Sequence, residues 1–198
     1  MSEANRRRQL LELAADLFLQ NGYHGTSMRD LARAAGISQS TIYHYFHSKA
    51  DLLVDIHSSL IDDLLPRLEA ILREDHPPQE KLRLFVHTTI DLIATSRKRM
   101  AAFLWERRFL PPEQAREIQT KRDRVDRILD EILLEGIRAG AFRDVRTKSA
   151  RMAILGMVLW TVEWMDPAGP VSPQQFADDF TDIVMRGIGC PSDSGGQG

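Results

Sequence analysis

Two helix-start signals with a glycine between them constrain this chain more than any other feature. In the run Thr26 to Lys49, TSMRDLARAAGISQSTIYHYFHSK, Ser27-x-x-Asp30 is a capping box. The serine side chain takes the third amide of a new helix and the acid returns to the serine amide. The helix it opens carries Leu31 and Ala34 and stops at Gly36, as a left-handed C-terminal glycine would stop it. Ser38 caps the next helix, with Ile42 and Phe46 four apart on its inner side. Ala32, four residues before Gly36, is small enough to let the two helices approach. Together they form a helix-turn-helix. Gln39, Ser40, Thr41, Tyr43 and His44 are left facing outward. These are short or planar hydrogen-bonding groups of a size to reach base edges and phosphates. On pattern alone two readings stand: a DNA recognition helix, or a small polar helix lying over a core.

The rest of the chain is also helical in pattern. No stretch alternates apolar and polar residues in a run rich in Val, Ile and Thr, as a half-buried strand does. Leu10, Leu13, Ala14, Leu17 and Phe18 form a helical stripe that stops at Asn21-Gly22. Ser48-x-x-Asp51 is a second capping box. It opens a long helix with Leu52, Leu53, Ile56, Leu60, Leu64, Leu68 and Leu72 on one side, and Pro66 within it predicts a kink. Further helices are predicted over Glu80 to Thr95, near 97–109, from Pro111-Pro112 to Gly140, from Thr147 to Met165, and from a Ser172 cap towards Gly187. The expected fold is all-α, with about nine helices by this spacing. A three-helix helix-turn-helix domain spans 1–48 and a helical body spans 49–190. The tail 191–198 has nothing to bury and is expected to be disordered.

Composition narrows the function classes. Of 198 residues, 43% are apolar and 27% charged, a globular balance that excludes a largely disordered chain. A single cysteine, Cys190, excludes an intrachain disulfide and a four-cysteine metal site. The apolar run after the three N-terminal arginines is broken by Glu12 and Asp16, which makes a poor signal peptide. The stretch Met152 to Val162 is far short of the ~20 apolar residues of a membrane span. A soluble, cytoplasmic protein without a membrane partner is expected. The net charge of −2 hides an asymmetry. Residues 1–50 hold six Lys/Arg against four Asp/Glu, a balance of +2, and the remainder holds 20 against 24, a balance of −4. A mildly basic end on an acidic body fits a polyanion-binding end. His44-x-x-His47 has helical spacing for two metal ligands but lacks a third, so no metal is expected. There is no P-loop, Gly-x-Ser-x-Gly or His-Glu-x-x-His. Neither catalytic residues nor a cofactor is expected, and the chain does not read as an enzyme.

The N-terminal residues resemble the DNA-binding domain of the TetR family of bacterial one-component repressors. The resemblance rests on Ala14-x-x-Leu17-Phe18, Gly22-Tyr23, Thr26, the Gly36-Ile37 turn, Thr41-Ile42-Tyr43-His44-Tyr45-Phe46 and Ser48-Lys49-Ala50-Asp51-Leu52. It implies that Gln39, Ser40 and Thr41 face bases. It implies that Tyr43 and His44 meet the DNA backbone, with Tyr43 able to reach a base methyl. Thr26 would anchor a phosphate through its hydroxyl and the helix N-terminus. Lys49 would contact another phosphate, and Arg6, Arg7 and Arg8 would form an N-terminal arm. With neither Arg nor Lys on the recognition helix, bidentate guanine readout from it is not expected, and part of the specificity falls to DNA shape.

By the same resemblance the body binds a ligand and dimerises. Trp160-Thr161-Val162-Glu163-Trp164, Gly169-Pro170-Val171-Ser172-Pro173, Phe176-Ala177-Asp178-Asp179-Phe180 and Arg138-Ala139-Gly140-Ala141-Phe142-Arg143 are similar to a subgroup that regulates fatty-acid and sterol catabolism, several members of which respond to acyl-CoA thioesters. Glu163 and Asp166 stand where relatives commonly carry basic residues, which puts a phosphorylated ligand in question. Phe85, Met100, Phe103, Leu104, Trp160 and Trp164 are candidates for the cavity wall, with ordinary core packing as the alternative. Arg107, Arg108, Arg122 and Arg124 are candidates for a pocket mouth or simply a solvated helix face. Ala153, Gly156 and Met157 would let helices of two protomers pack closely, with Phe176, Phe180 and Val184 from the last helix. The resemblance therefore implies a homodimeric repressor on a palindromic DNA operator, released by a hydrophobic small-molecule effector such as a fatty acid or acyl-CoA. An effector-independent DNA-architectural dimer and a helical acyl-thioester enzyme are the other readings.

Overall fold

The structure, a computed structural model, describes residues 3–189. Among them are nine α-helices: α1 (Glu3–Gly25), α2 (Met28–Ala35), α3 (Gln39–Tyr45), α4 (Lys49–Arg73), α5 (Pro78–Thr95), α6 (Arg97–Trp105), α7 (Pro112–Arg138), α8 (Thr147–Trp164) and α9 (Pro173–Ile188). A 3-10 turn (Arg107–Phe109) follows α6. The fold is all-α, as the helical spacing predicts. The described residues hold no strand, and their only extended pairing is an isolated bridge between Phe142 and Gly189. The tail 191–198 lies outside the described residues.

The start and stop signals act where the sequence places them. The Ser27 side chain accepts from the Asp30 amide, and Asp30 accepts from the Ser27 amide. Gly36 ends α2 at φ 66°, ψ 30°, a left-handed conformation that costs a residue with a Cβ, and its N–H returns to α2 carbonyls. Ser38 caps α3 and Ser172 pairs with Gln175 at the start of α9. The α1 backbone leaves helical geometry at Gly22. The expected kink at Pro66 does not divide α4, which runs through it as one helix.

The packing separates into two compact units. The first holds residues 3–63 and 95–122 of the described chain, so α1 to α3 and the first part of α4 pack with α6 and the start of α7. Its core contains Leu10, Ala14, Phe18, Leu31, Ile42, Phe46, Leu53, Ile56 and Met100. The second unit holds residues 64–94 and 123–189 of the described chain. Its core contains Leu68, Leu82, Phe85, Val86, Ile90, Leu129, Leu133, Phe142, Ile154 and Val158. Phe142 lies so close on α7 that a Cβ at Gly136 would fall 2.0 Å from the ring, so only glycine fits there. The packing boundary in α4 differs from the expected division after residue 48. Its cause is α6, which lies against α1 rather than with the later helices.

Candidate nucleic-acid interface

Ile42 and Phe46, fully buried, fix α3 on the first unit. Gln39, Ser40, Thr41, Tyr43 and His44 are all exposed on its outer side. The Ser38 hydroxyl contacts the Ser40 and Thr41 hydroxyls at 2.7 and 2.8 Å, and accepts from the Thr41 amide at 3.1 Å. The first turn of α3 is thereby ordered without a long charged side chain. The outer face offers hydroxyl, amide, phenol and imidazole groups, the set that reads donors and acceptors in a groove. At the start of α2, Asp30 lies below its ordinary carboxylate range because it accepts from the Ser27 hydroxyl and amide, with Arg33 and Arg29 adding a smaller effect.

Three expected DNA contacts have other partners here. Thr26 is buried, and its hydroxyl points at the Leu17 and Gly22 carbonyls, 3.1 and 3.0 Å away, while its amide donates to the Tyr23 carbonyl. It closes the end of α1, where several carbonyls lack helical partners. Lys49 donates to the Tyr23 and Thr26 carbonyls at 2.6 and 2.8 Å, and its ammonium lies 4.3 Å from the Tyr23 ring centroid. Two of its three N–H bonds are thus spent inside the protein. Arg6, Arg7 and Arg8 lie within α1 rather than on a free arm. Arg7 pairs with Asp55, Arg8 with Asp63, and Arg6 donates to the Ala35 carbonyl.

Buried polar groups join α1, α4 and α6. Arg99 on α6 is 2% exposed. Its Nε donates to Glu12 of α1 at 2.6 Å, one terminal nitrogen to Ser59 of α4 at 3.1 Å, and the other to Ser96 at 2.7 Å. Asp63 completes the set with an ion pair at 3.7 Å. A second link lies past α6, where the Phe109 ring stacks on Tyr23 at 5.1 Å and meets His24 edge-on at 4.6 Å. Tyr23 is also the residue that receives Lys49. The helix-turn-helix is therefore tied to α6 near the middle of α1, through Glu12, and to the turn after α6 near the C-terminal end of α1, through Tyr23 and His24.

The effector candidates fall in different places. Met100 and Phe103 are buried and Leu104 half-buried in the first unit, and Phe85 is buried in the second. Trp160 and Trp164 are 55% and 46% exposed, whereas the wall of an enclosed cavity would bury them. Trp164 packs edge-on against Phe176 and Phe180 of α9 at 5.0 and 6.3 Å. Met152, Ala153, Gly156, Trp160 and Trp164 share one exposed face of α8, with Met157 half-buried beside it. Phe176 and Phe180 are half-buried and Ile183 is exposed, but Val184 points into its own unit and is buried. Glu163 and Asp166 are exposed, and Asp166 accepts from the Ala168 amide. Arg124 pairs with Glu69 and Glu131, and Arg107 donates to Gln119.

His57 on α4 escaped the sequence reading. It is fully buried, and neither ring nitrogen has a hydrogen-bond partner. Its ring centroid lies 4.9 Å from that of Phe103. Burial pushes its pKa down to about 3, helped by the charges of Arg122 and Arg107, so the ring is neutral. The available signal was its place on the inward stripe, four residues after Leu53 and four before Ile61. Among the described residues of the first unit, Glu106, just after α6, is also buried with an unpartnered side-chain oxygen.

Known proteins give this geometry its setting. Residues 10–56 match the family described as "Bacterial regulatory proteins, tetR family". Residues 75–188 match the domain described as "Tetracyclin repressor-like, C-terminal domain". The chain belongs to the TetR family. As a TetR-family protein it is a DNA-binding transcriptional regulator and not an enzyme. The transcriptional repressor KstR2 of Mycolicibacterium smegmatis is 29% identical over 187 residues, covering 93% of this chain and 91% of that protein. The fatty acid metabolism regulator protein of Bacillus subtilis is 29% identical over 182 residues, covering 91% and 94%. The crystal structure of AibR in complex with isovaleryl coenzyme A and operator DNA superposes with a TM-score of 0.78 at 29% identity, covering 90% of this chain and 97% of that one. No helix of the described residues is long and apolar enough to cross a membrane.

Proposed function

We propose that this TetR-family regulator is a cytoplasmic, homodimeric repressor of lipid-related genes that leaves its operator when an acyl compound binds. The observation that carries the DNA half is the outer face of α3, five exposed polar side chains over two fully buried apolar ones. Gln39, Ser40 and Thr41 read bases, and Tyr43 and His44 hold the backbone. The functional division is a DNA-binding domain over 1–48 and an effector and dimerisation domain over 49–190. The acyl half rests on the relatives: a fatty acid metabolism regulator and a neighbour whose crystal holds isovaleryl coenzyme A together with operator DNA.

The exposures on α8 and α9 support two reassignments within this proposal. Trp160 and Trp164 belong with Ala153, Gly156, Met157, Phe176 and Phe180 on the dimer face, because an exposed apolar stripe of this kind marks an interaction surface. Val184 supports that face from beneath. The proposed two-fold dimer forms through α8 and α9, and a palindromic operator requires two such recognition helices about one DNA turn (~34 Å) or a multiple of it apart. The effector acts by linkage: it binds better to the protomer arrangement that does not fit the operator. Arg99 on α6 and Phe109 on the turn after it supply the mechanical connection, through Glu12 and Tyr23 of α1. Selection of binding sites from random DNA tests the reading. A palindromic consensus bound by two protomers is expected, whereas a non-repeating or sequence-indifferent site would favour an architectural role.

A further inference from the structure

We propose that His57 is the polar anchor for the effector's acyl oxygen, with Phe103 as the apolar surface beneath the adjoining carbons. The inference rests on the acyl-responsive reading above and adds the group that recognises the acyl head. A neutral imidazole carries one N–H donor and one acceptor nitrogen. Buried groups of this kind are normally hydrogen-bonded, and an exception calls for an explanation. Here both nitrogens are unpartnered in a fully buried side chain. The Phe103 ring lies 4.9 Å from the imidazole on one element and 4.8 Å from the Arg122 guanidinium on another. The imidazole is therefore lodged in a mostly apolar setting under the positive field of Arg122 and Arg107.

That combination selects among head groups. The positive field disfavours an ammonium or other cation. An aliphatic chain without an oxygen leaves the N–H as unsatisfied as it is in the free protein. A carboxylate or thioester carbonyl accepts the N–H and is favoured by the two guanidiniums. The position also has a consequence for DNA binding. His57 and Ser59 both lie on α4, and their partners Phe103 and Arg99 both lie on α6, so the anchor and the hydrogen bonds that tie α6 to Glu12 of α1 engage the same pair of helices. A ligand wedged at His57 and Phe103 presses on the same two helices that Arg99 holds together.

The experiment uses the full-length protein and its His57→Leu and His57→Asn variants, with decanoate, decanoyl-CoA and decylamine as probes. Melting temperature reports binding, and anisotropy of a labelled, selected operator reports release. His57→Leu removes two unsatisfied polar atoms, so the free variant should melt no lower than the parent. The parent should be stabilised and released from DNA by decanoate or decanoyl-CoA, but not by decylamine. Which of the two acts tells whether the oxygen belongs to a free acid or a thioester. His57→Leu should need at least tenfold more of that compound, and His57→Asn, which keeps an N–H donor, should fall between. A His57→Leu protein that responds like the parent overturns the anchor while leaving the acyl reading intact. A free His57→Leu protein that melts well below the parent also overturns it, because the nitrogens then have a structural partner such as a buried water. A parent that answers to none of the acyl probes removes the acyl reading, and the anchor with it.

Discussion

Replacing Arg99 with methionine removes the guanidinium that joins α1, α4 and α6 while keeping most of the buried volume. Deleting one partner of a buried ion pair costs ~3–5 kcal/mol, because the charge left behind is uncompensated. Arg99 itself is 2% exposed, but Glu12 and Asp63 keep 35% and 33% of their side-chain surface. Both carboxylates can therefore recover water, which places the cost at the lower end, about 3 kcal/mol. The neutral bonds to Ser59 and Ser96 are included in that figure. For a protein of this size each kcal/mol lowers the melting temperature by ~2–4 °C, so a fall of about 6–12 °C is expected. A double-mutant cycle with Glu12→Gln should show a coupling of ~0.5–3 kcal/mol, since the two residues touch. Function should change differently. Arg99→Met should still bind its operator below the new melting temperature, because α3 is untouched, but the effector should release it less completely. A melting temperature within about 2 °C of the parent would refute the energetic reasoning. Full effector release from a destabilised Arg99→Met protein would refute its part in coupling.

Tyr43→Ala should weaken operator binding by ~1–3 kcal/mol with little effect on melting temperature, read by anisotropy, since the ring is exposed on α3. Lys49→Ala should lower the melting temperature, because it removes the ammonium donor from the Thr26 carbonyl and leaves the Tyr23 carbonyl with the Thr26 amide alone. If its third N–H also reaches a phosphate, specific and nonspecific DNA should weaken alike and the salt slope should fall by about one unit per protomer; a changed base preference would contradict that role. Gly156→Leu meets nothing within 4 Å of a new Cβ in the protomer. It should therefore leave the protomer fold intact and raise the monomer fraction in sedimentation at micromolar concentration, and an undisturbed dimer would place the interface elsewhere.

The parts of this fold that were legible in the sequence are those set by local chemistry. Ser27 with Asp30, Gly36, Ser38 and Ser172 fix helix ends through bonds to neighbours three or four residues away, so spacing alone reveals them. Ile42 and Phe46 follow from helical periodicity in the same way. What stayed hidden depends on partners distant in the chain. Lys49 finds carbonyls 26 and 23 residues earlier, and Arg99 finds Glu12 87 residues earlier. Nothing in a spacing announces such meetings. Trp160 and Trp164 illustrate a different gap. Their i,i+4 spacing shows that they share a face, but an apolar face reads the same whether it lines a cavity or meets a partner protomer. His57 was visible as a polar residue on an apolar stripe, yet only the fold shows that both nitrogens lack a partner.

Linkage offers the most direct test of the central claim, that an acyl effector and operator DNA compete for two arrangements of one protein. Operator affinity should be measured by anisotropy with and without saturating decanoyl-CoA or decanoate, whichever binds. The affinity of that compound should be measured by calorimetry with and without saturating operator. The account predicts that each ligand weakens the other by the same factor, in the ~5–150-fold range typical of allosteric coupling, because the coupling free energy is shared. An effector that binds the DNA-bound and free protein equally, with operator affinity unchanged, would contradict it.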